Sequence, residues 1–420
     1  MFRKVIAKDP NYKGAHLGLG TALSMTARSG EAMAEFRKEE EISPDDVSAY
    51  KTAAANLLRM GKKDEALEEW RKFLKVDPKS REGVLAVNGM LAEDGRYAEA
   101  AQEMEKAVTA SPDNSNFQFV LGYDLLKSGN KEKGTASVKK AVELANDDPE
   151  MLNNASYSLA DSNVSLDLAQ QLAEKAVTKL EEKAQGAESA PEVGMAVTYQ
   201  LSLTWDTLGW VYFQQGDAKR AESFVKASWL LGEIAIVGEH LGEIYEKQGK
   251  TQLAAKAYLY ALAVSPMAMV PNLIGPQNNS LMASQKEADE IQHRYEKLAG
   301  KKPDLRSSTR LPNGEWTLTP AEQLRRTREV KLANEKKLAG NARFTLVFKP
   351  GQVESAEQEF GDPEFALFAD KLKAAHYPIE FPTESAAVLV LRVDVSCKPA
   401  EPCVGTLVNP VPPTAPSPTH

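Results

Sequence analysis

Cysteine is almost missing from this chain: two in 420 residues, Cys397 and Cys403, close together near the C-terminal end. No disulfide framework can therefore hold the whole fold, which must bury an apolar core instead. No run of 18 apolar residues occurs, so no helix is expected to span a membrane. A basic excess is also lacking. Lys and Arg number 51 against 59 Asp and Glu, a formal net charge of -8, and phosphate binding needs the opposite balance. Nucleic acid is excluded as the main ligand. The first residues lack the basic, apolar and small-residue succession of a signal peptide.

Catalytic punctuation is missing too. The five histidines, His16, His240, His293, His376 and His420, are scattered, with no HExxH pair and no metal-ligand spacing. No phosphate-binding or dinucleotide glycine loop and no GxSxG elbow appears. Cys397 has no His/Asp pair at a recognisable interval. The chain reads as a non-enzyme without cofactor or metal.

What is present is a period. Pro10, Pro44, Pro78 and Pro112 fall 34 residues apart, as do Gly61, Gly95 and Gly129. Ala32, Ala66 and Ala100 follow, and Phe36, Trp70 and Met104 come four positions later. Proline ends a helix, and glycine admits the left-handed residue that closes one. Each period then reads as helix, glycine turn, helix, proline turn. The small alanine lets two helices approach to about 8–10 Å, and such pairs must stack to bury their second face.

Further units show as Leu121-Gly122 with Gly129 and Ala141; as Trp205, Leu208, Gly209, Tyr212, Gly216 and Ala221; and as Leu241, Gly242, Tyr245, Gly249, Ala254, Tyr258, Ala261 and Pro266. The pattern resembles the tetratricopeptide repeat (TPR) family. The expected fold is mainly α, a TPR-type α-solenoid of about seven helix pairs followed by a small α/β domain. Units are placed at 13–46, 47–80, 81–114, 115–148 and 150–185 (together 13–185), then 202–235 and 236–268 (together 202–268). The fifth is degenerate, keeping only Ala169, Ala173 and Ala176 at the second-helix spacing. Gly134 stands where alanine is expected, and in the first unit Gly30 comes three residues late. Residues 186–201, with Gly186, Pro191 and Gly194, interrupt the array as a loop or lengthened helix end, and a helix around 283–299 caps it.

Residues 1–12 read as the second helix of a repeat, with Phe2, Val5 and Pro10 at its aromatic, small and proline positions. Truncation is expected, with further repeats or another domain of the same polypeptide upstream. Residues 269–342 hold the capping helix and a basic linker: 13 Lys/Arg against six Asp/Glu lie between Arg294 and Arg343, with a solvated helix expected around 320–338. From Arg343 the period changes. Phe344–Phe348 reads as a strand, Asp362-Pro363 opens a helix carrying Phe365, Phe368 and Leu372, and Val388–Val395 with Cys403–Val408 forms a strand pair. This makes a small α/β domain over 343–409, and residues 410–420 are a Pro-rich tail expected to be disordered. Cys397 and Cys403 flank the last turn. As a disulfide they imply an oxidising compartment; reduced, they are inert strand residues.

The order of repeats carrying Leu152-Asn153-Asn154 and then Asp206-Thr207-Leu208-Gly209-Trp210, basic linker and Cys-containing α/β end also resembles bacterial extracytoplasmic TPR proteins with an upstream transglutaminase-like domain, and the terminal unit is similar to TonB-type C-terminal domains. This resemblance implies a periplasmic or cell-envelope location.

The TPR resemblance implies a concave groove lined by first-helix positions: Lys51 and Leu58, then Phe119, Tyr123 and Leu126, then Asp206, Trp210 and Phe213. Exposed aromatics there act as binding hot spots of about 2 kcal/mol each, unless neighbouring helices cover them. His240, beside Glu239 and Glu243, is expected to be a solvated groove-edge residue. A carboxylate clamp is not implied, because Ala55 stands where its asparagine belongs. The expected function is a scaffold holding a protein or peptide segment by apolar contacts. The other reading is a substrate-recruiting part of a longer transglutaminase-like or hydrolytic enzyme.

Overall fold

A computed structural model describes residues 1–186, 190–268, 285–306 and 317–410. The Pro-rich tail from 411 lies outside the described residues. Two compact units divide the chain, Met1–Asn146 and Asp147–His420.

The first unit is helical throughout. After α1 (Phe2–Lys8) come four helix pairs: α2 (Ala15–Met25) with α3 (Ser29–Ile42), α4 (Val47–Arg59) with α5 (Lys63–Val76), α6 (Arg81–Glu93) with α7 (Tyr97–Ala110), and α8 (Ser115–Lys127) with α9 (Lys131–Leu144). First helices begin at short polar caps. Asp46 accepts from the Ser48 amide, Ser80 from Gly83 and Asn114 from Phe117. Helix α2 has no cap of its own, and the buried Glu39 on α3 accepts from the Gly14 and Leu17 amides instead, at 2.7 and 3.1 Å.

Between the helices of each pair one residue takes the left-handed conformation. Gly61, Gly95 and Gly129 do so with φ of 71, 69 and 89°. The first repeat lacks that glycine, and Ala27 fills the same place at φ 59°, a backbone that costs an L-residue about 1 kcal/mol or more. The helices of a pair meet where a side chain is missing. A Cβ at Gly122 would lie 2.7 Å from the Val138 side chain and 2.9 Å from its backbone nitrogen. Gly134 has a matching reason, since a Cβ there would meet Leu126 at 2.7 Å.

The second unit continues with three pairs: α10 (Pro149–Asp161) with α11 (Leu166–Ala184), α12 (Pro191–Gln214) with α13 (Ala218–Gly232), and α14 (Ala235–Lys247) with α15 (Thr251–Ala268). The degenerate repeat keeps its turn, with Asn163 left-handed at φ 47°. Of residues 186–201, read as a loop or lengthened helix end, 191–201 are the opening turns of the 24-residue α12, and 187–189 lie outside the described residues. Helix α16 (Gln285–Ala299) packs on α15.

The C-terminal part differs from expectation at its start. The helix expected over 320–338 ends early: α17 (Pro320–Thr327) opens with a capping box at Thr319 and Glu322 and is followed by β1 (Glu329–Leu332). The basic segment thus supplies a strand, with Leu332 paired to Cys403 and Glu329 to Thr406. Strands β2 (Gly340–Lys349), β3 (Gln352–Phe360), β4 (Leu389–Cys397) and β5 (Cys403–Leu407) complete an antiparallel sheet of order β1-β5-β4-β2-β3. Between β3 and β4, a 3₁₀ turn (Pro363–Phe368) and α18 (Ala369–Lys373) bury Phe365, Phe368 and Leu372.

This sheet shares a core with the repeats of its unit. The rings of Trp205 and Phe381 meet edge-on at 6.3 Å, and the Val390 amide donates to Thr198 Oγ1 on α12 at 2.8 Å. Arg328, 4% exposed, donates to the carbonyls of Leu407 on β5 and Leu230 on α13 at 3.1 and 2.8 Å. One buried guanidinium thus satisfies a helix C-terminus and a strand end together.

Candidate functional site

The residues expected to line one groove fall into two environments. In the first unit, Lys51, Leu58, Phe119 and Tyr123 keep solvent access on first helices. Lys51 is exposed and pairs with Glu82 on α6 at 2.6 Å. Leu58 is 43% exposed. Phe119 and Tyr123, one turn apart on α8, are half-buried. Tyr123 is held edge-on to Tyr97 at 6.2 Å, with Lys127 Nζ 5.6 Å from its ring centroid. On α6, nothing lies within 4 Å of where a Cβ on Gly89 would stand, so this face is open over the helix backbone. Ala55 on α4 is likewise exposed.

Leu126 departs from expectation. It is 4% exposed and fills the space opposite Gly134, so it belongs to the contact between α8 and α9.

In the second unit Asp206 and Trp210 are covered, while Phe213 stays half-buried. Asp206 and Trp210 are each 6% exposed and His240 is 3%. His240 Nδ1 lies 3.0 Å from both carboxylate oxygens of Asp206. Its ring lies flat against Trp210, which stacks on Phe213 at 5.0 Å, and Tyr157 is 6.1 Å from the imidazole. His240 is therefore a buried member of a layered aromatic cluster and not a solvated edge residue. Burial pushes its pKa down, but the charge and hydrogen bond of Asp206, with Glu239 and Glu243 behind, outweigh burial, and the pKa is raised. For the Glu243 carboxyl burial acts the other way and raises the pKa, against the pull of Arg294 at 3.0 Å. The Trp210 indole N–H is buried without an acceptor.

Sequence reasoning passed over a buried carboxyl group. Asp124 on α8 is fully buried and accepts from Asn88 Nδ2 on α6 at 2.5 Å, while its other oxygen has no partner. Burial pushes its pKa up to about 7. The signal was an acidic residue inside the apolar run Leu121–Leu126, at a place where the helix faces the preceding repeat.

Cys397 and Cys403 form a disulfide across the β4–β5 turn. Among the described residues no group of three His, Cys, Asp or Glu side chains could hold a metal ion. No described helix is long and apolar enough to cross a membrane.

Residues 52–115 match the family model described as tetratricopeptide repeat. No curated protein matches the chain. Among solved structures, a tetratricopeptide repeat protein from Parabacteroides merdae is similar at 12% identity and a TM-score of 0.46, over 70% of this chain and 98% of that one. YrrB, a TPR protein with an unusual peptide-binding site, is similar at 18% identity and a TM-score of 0.33, over 42% of this chain and 91% of that one. MamA (41-end) from Desulfovibrio magneticus RS-1 is similar at 18% identity and a TM-score of 0.31, over 41% and 95%. The chain is a mainly helical TPR-like array followed by a small antiparallel five-stranded sheet.

Proposed function

We propose that this protein is a non-catalytic scaffold that holds an extended or helical segment of a partner protein on the first-helix face of its N-terminal unit, in the cell envelope. One observation carries the reading. Leu58, Phe119 and Tyr123 keep exposed apolar surface on the face where Ala55 and Gly89 leave the helix backbone open. Large side chains flanking bare backbone form a concave apolar seat, and aromatic anchors in such seats supply most of the binding energy. On the matching face of the second unit His240 and Trp210 are buried against each other, and of the expected residues only Phe213 keeps partial exposure. The Cys397–Cys403 disulfide supports an oxidising location.

A photocrosslinking residue at Ala55 in the full chain, used in cell-envelope extract, tests the seat. The same partner should be captured by the wild-type face and lost in the Phe119→Ala/Tyr123→Ala variant with its thermal unfolding unchanged. Equal capture by that variant would remove the proposal.

A further inference from the structure

Strand β3 lies at one margin of the sheet, hydrogen-bonded to β2 alone. Nine residues long, it bulges at Glu354 and Glu359, where its register with β2 shifts, and leaves an outer row of backbone N–H and C=O groups with no backbone partner among the described residues. The opposite margin, β1, has only four residues. A long open margin is a template for another strand, and the side chains along it decide which strand.

β3 carries Glu354, Glu357 and Glu359 and no Lys or Arg. Two of these carboxylates are already paired: Glu354 with Lys349 at 2.6 Å and Glu359 with Arg392 at 2.9 Å. Glu357 is exposed and has no cation against it among the described residues. At the end of the strand, Phe360 is 67% exposed, the most exposed large hydrophobic side chain among the described residues of the sheet. It borders a shallow depression shared with Gly340, Asn341 and Phe365, where the chain turns away at Gly361 with φ 111°.

We propose that the outer margin of β3 receives an extended strand from a partner protein that bears lysine or arginine, adding a sixth strand to the sheet. Backbone hydrogen bonds would hold the strand. A basic side chain meets Glu357, and an apolar one enters the depression beside Phe360. A second copy of this chain fits poorly, because antiparallel pairing of β3 with β3 brings two Glu357 carboxylates, neither with a cation against it among the described residues, to one seam. The inference does not depend on the helical seat, which lies in the other unit.

The probe is an end-capped peptide of alternating lysine and valine, matched to the nine residues of β3. It is added to the full chain and followed by hydrogen exchange with mass spectrometry and by fluorescence anisotropy. Exchange should slow over residues 352–360. Binding should weaken at least tenfold with Glu357→Lys and with the peptide N-methylated on alternate amides, which keeps its charge but cannot form the ladder. A glutamate–valine peptide should not bind. Equal binding by the N-methylated or acidic peptide, or protection elsewhere in the chain, would overturn the proposal. So would concentration-dependent self-association that protects 352–360 without peptide, since the occupant is then a second copy.

Discussion

The imidazole of His240 lies flat on the indole of Trp210, 4.0 Å between ring centroids and 17° between planes, with Asp206 closing the ring's Nδ1 edge. Three side chains from α12 and α14 thus bind two consecutive repeats together, and that contact consumes the surface a groove would have offered.

Trp210→Ala is expected to destabilise the second unit by roughly 3–5 kcal/mol, the cost of a large aromatic removed from a core. Partner capture at Ala55 should be unchanged. Denaturant unfolding combined with the crosslinking assay separates the two effects, and lost capture without lost stability would return Trp210 to the binding surface.

The His240–Asp206 contact gives the second unit a pH signature. Because the folded-state pKa of His240 is raised, its stabilisation is fully present below the unfolded imidazole value of about 6.5 and is lost as pH rises through the folded value. Thermal unfolding should therefore weaken on the alkaline side in wild type. His240→Asn should flatten that slope, and an unaltered slope would assign it to other groups.

Asp124 produces a slope in the same direction for the first unit, over a lower range. With its carboxyl pushed up to about 7, the folded state keeps a proton that the unfolded chain releases near pH 4. Stability falls as pH rises from about 4 to 7. Asp124→Asn should raise stability at pH 8 by up to about 4 kcal/mol and change little at pH 4. Denaturant midpoints of the two proteins at both pH values check this.

Two glycines should respond oppositely to the same methyl group. Gly89 has open space around it, so Gly89→Ala should stabilise α6 by about 1 kcal/mol. Gly122→Ala drives a Cβ to 2.9 Å from the Val138 nitrogen, which a backbone cannot yield cheaply, and should cost about 1–3 kcal/mol. Gly89→Leu should preserve the melting temperature yet block partner capture, if this face is the seat.

Arg328→Met should loosen the sheet from the helices. It leaves the carbonyls of Leu230 and Leu407 without their donor and Glu233 without its cation at 3.7 Å, at a cost of roughly 3–5 kcal/mol. Arg328→Lys should not restore it, because one ammonium cannot reach both carbonyls from a fixed fork. Faster hydrogen exchange in β5 is the expected readout.

The repeat helices were legible because their signals are local. A proline, a glycine and a small residue each act on the nearest turn, and the spacing of 34 survives even where Ala27 or Asn163 replaces glycine. Strand β3 was not legible, since Gln352–Phe360 has no apolar alternation and takes its strand form from long-range pairing with β2. The expected helix over 320–338 failed at Glu329 for the same reason, because pairing with β5 overrides a charged, helix-compatible stretch. Within the candidate site, Phe119 and Leu126 carry the same kind of label in sequence. Only the position of Gly134 sends one toward the core.

The sequence by itself determined that helices pair and where each begins and turns, since capping and backbone preference depend on a few adjacent residues. Tertiary structure alone decided which first-helix faces stay open. Burial depends on what another helix, far along the chain, places against a side chain, and His240 covers Trp210 while nothing covers Gly89.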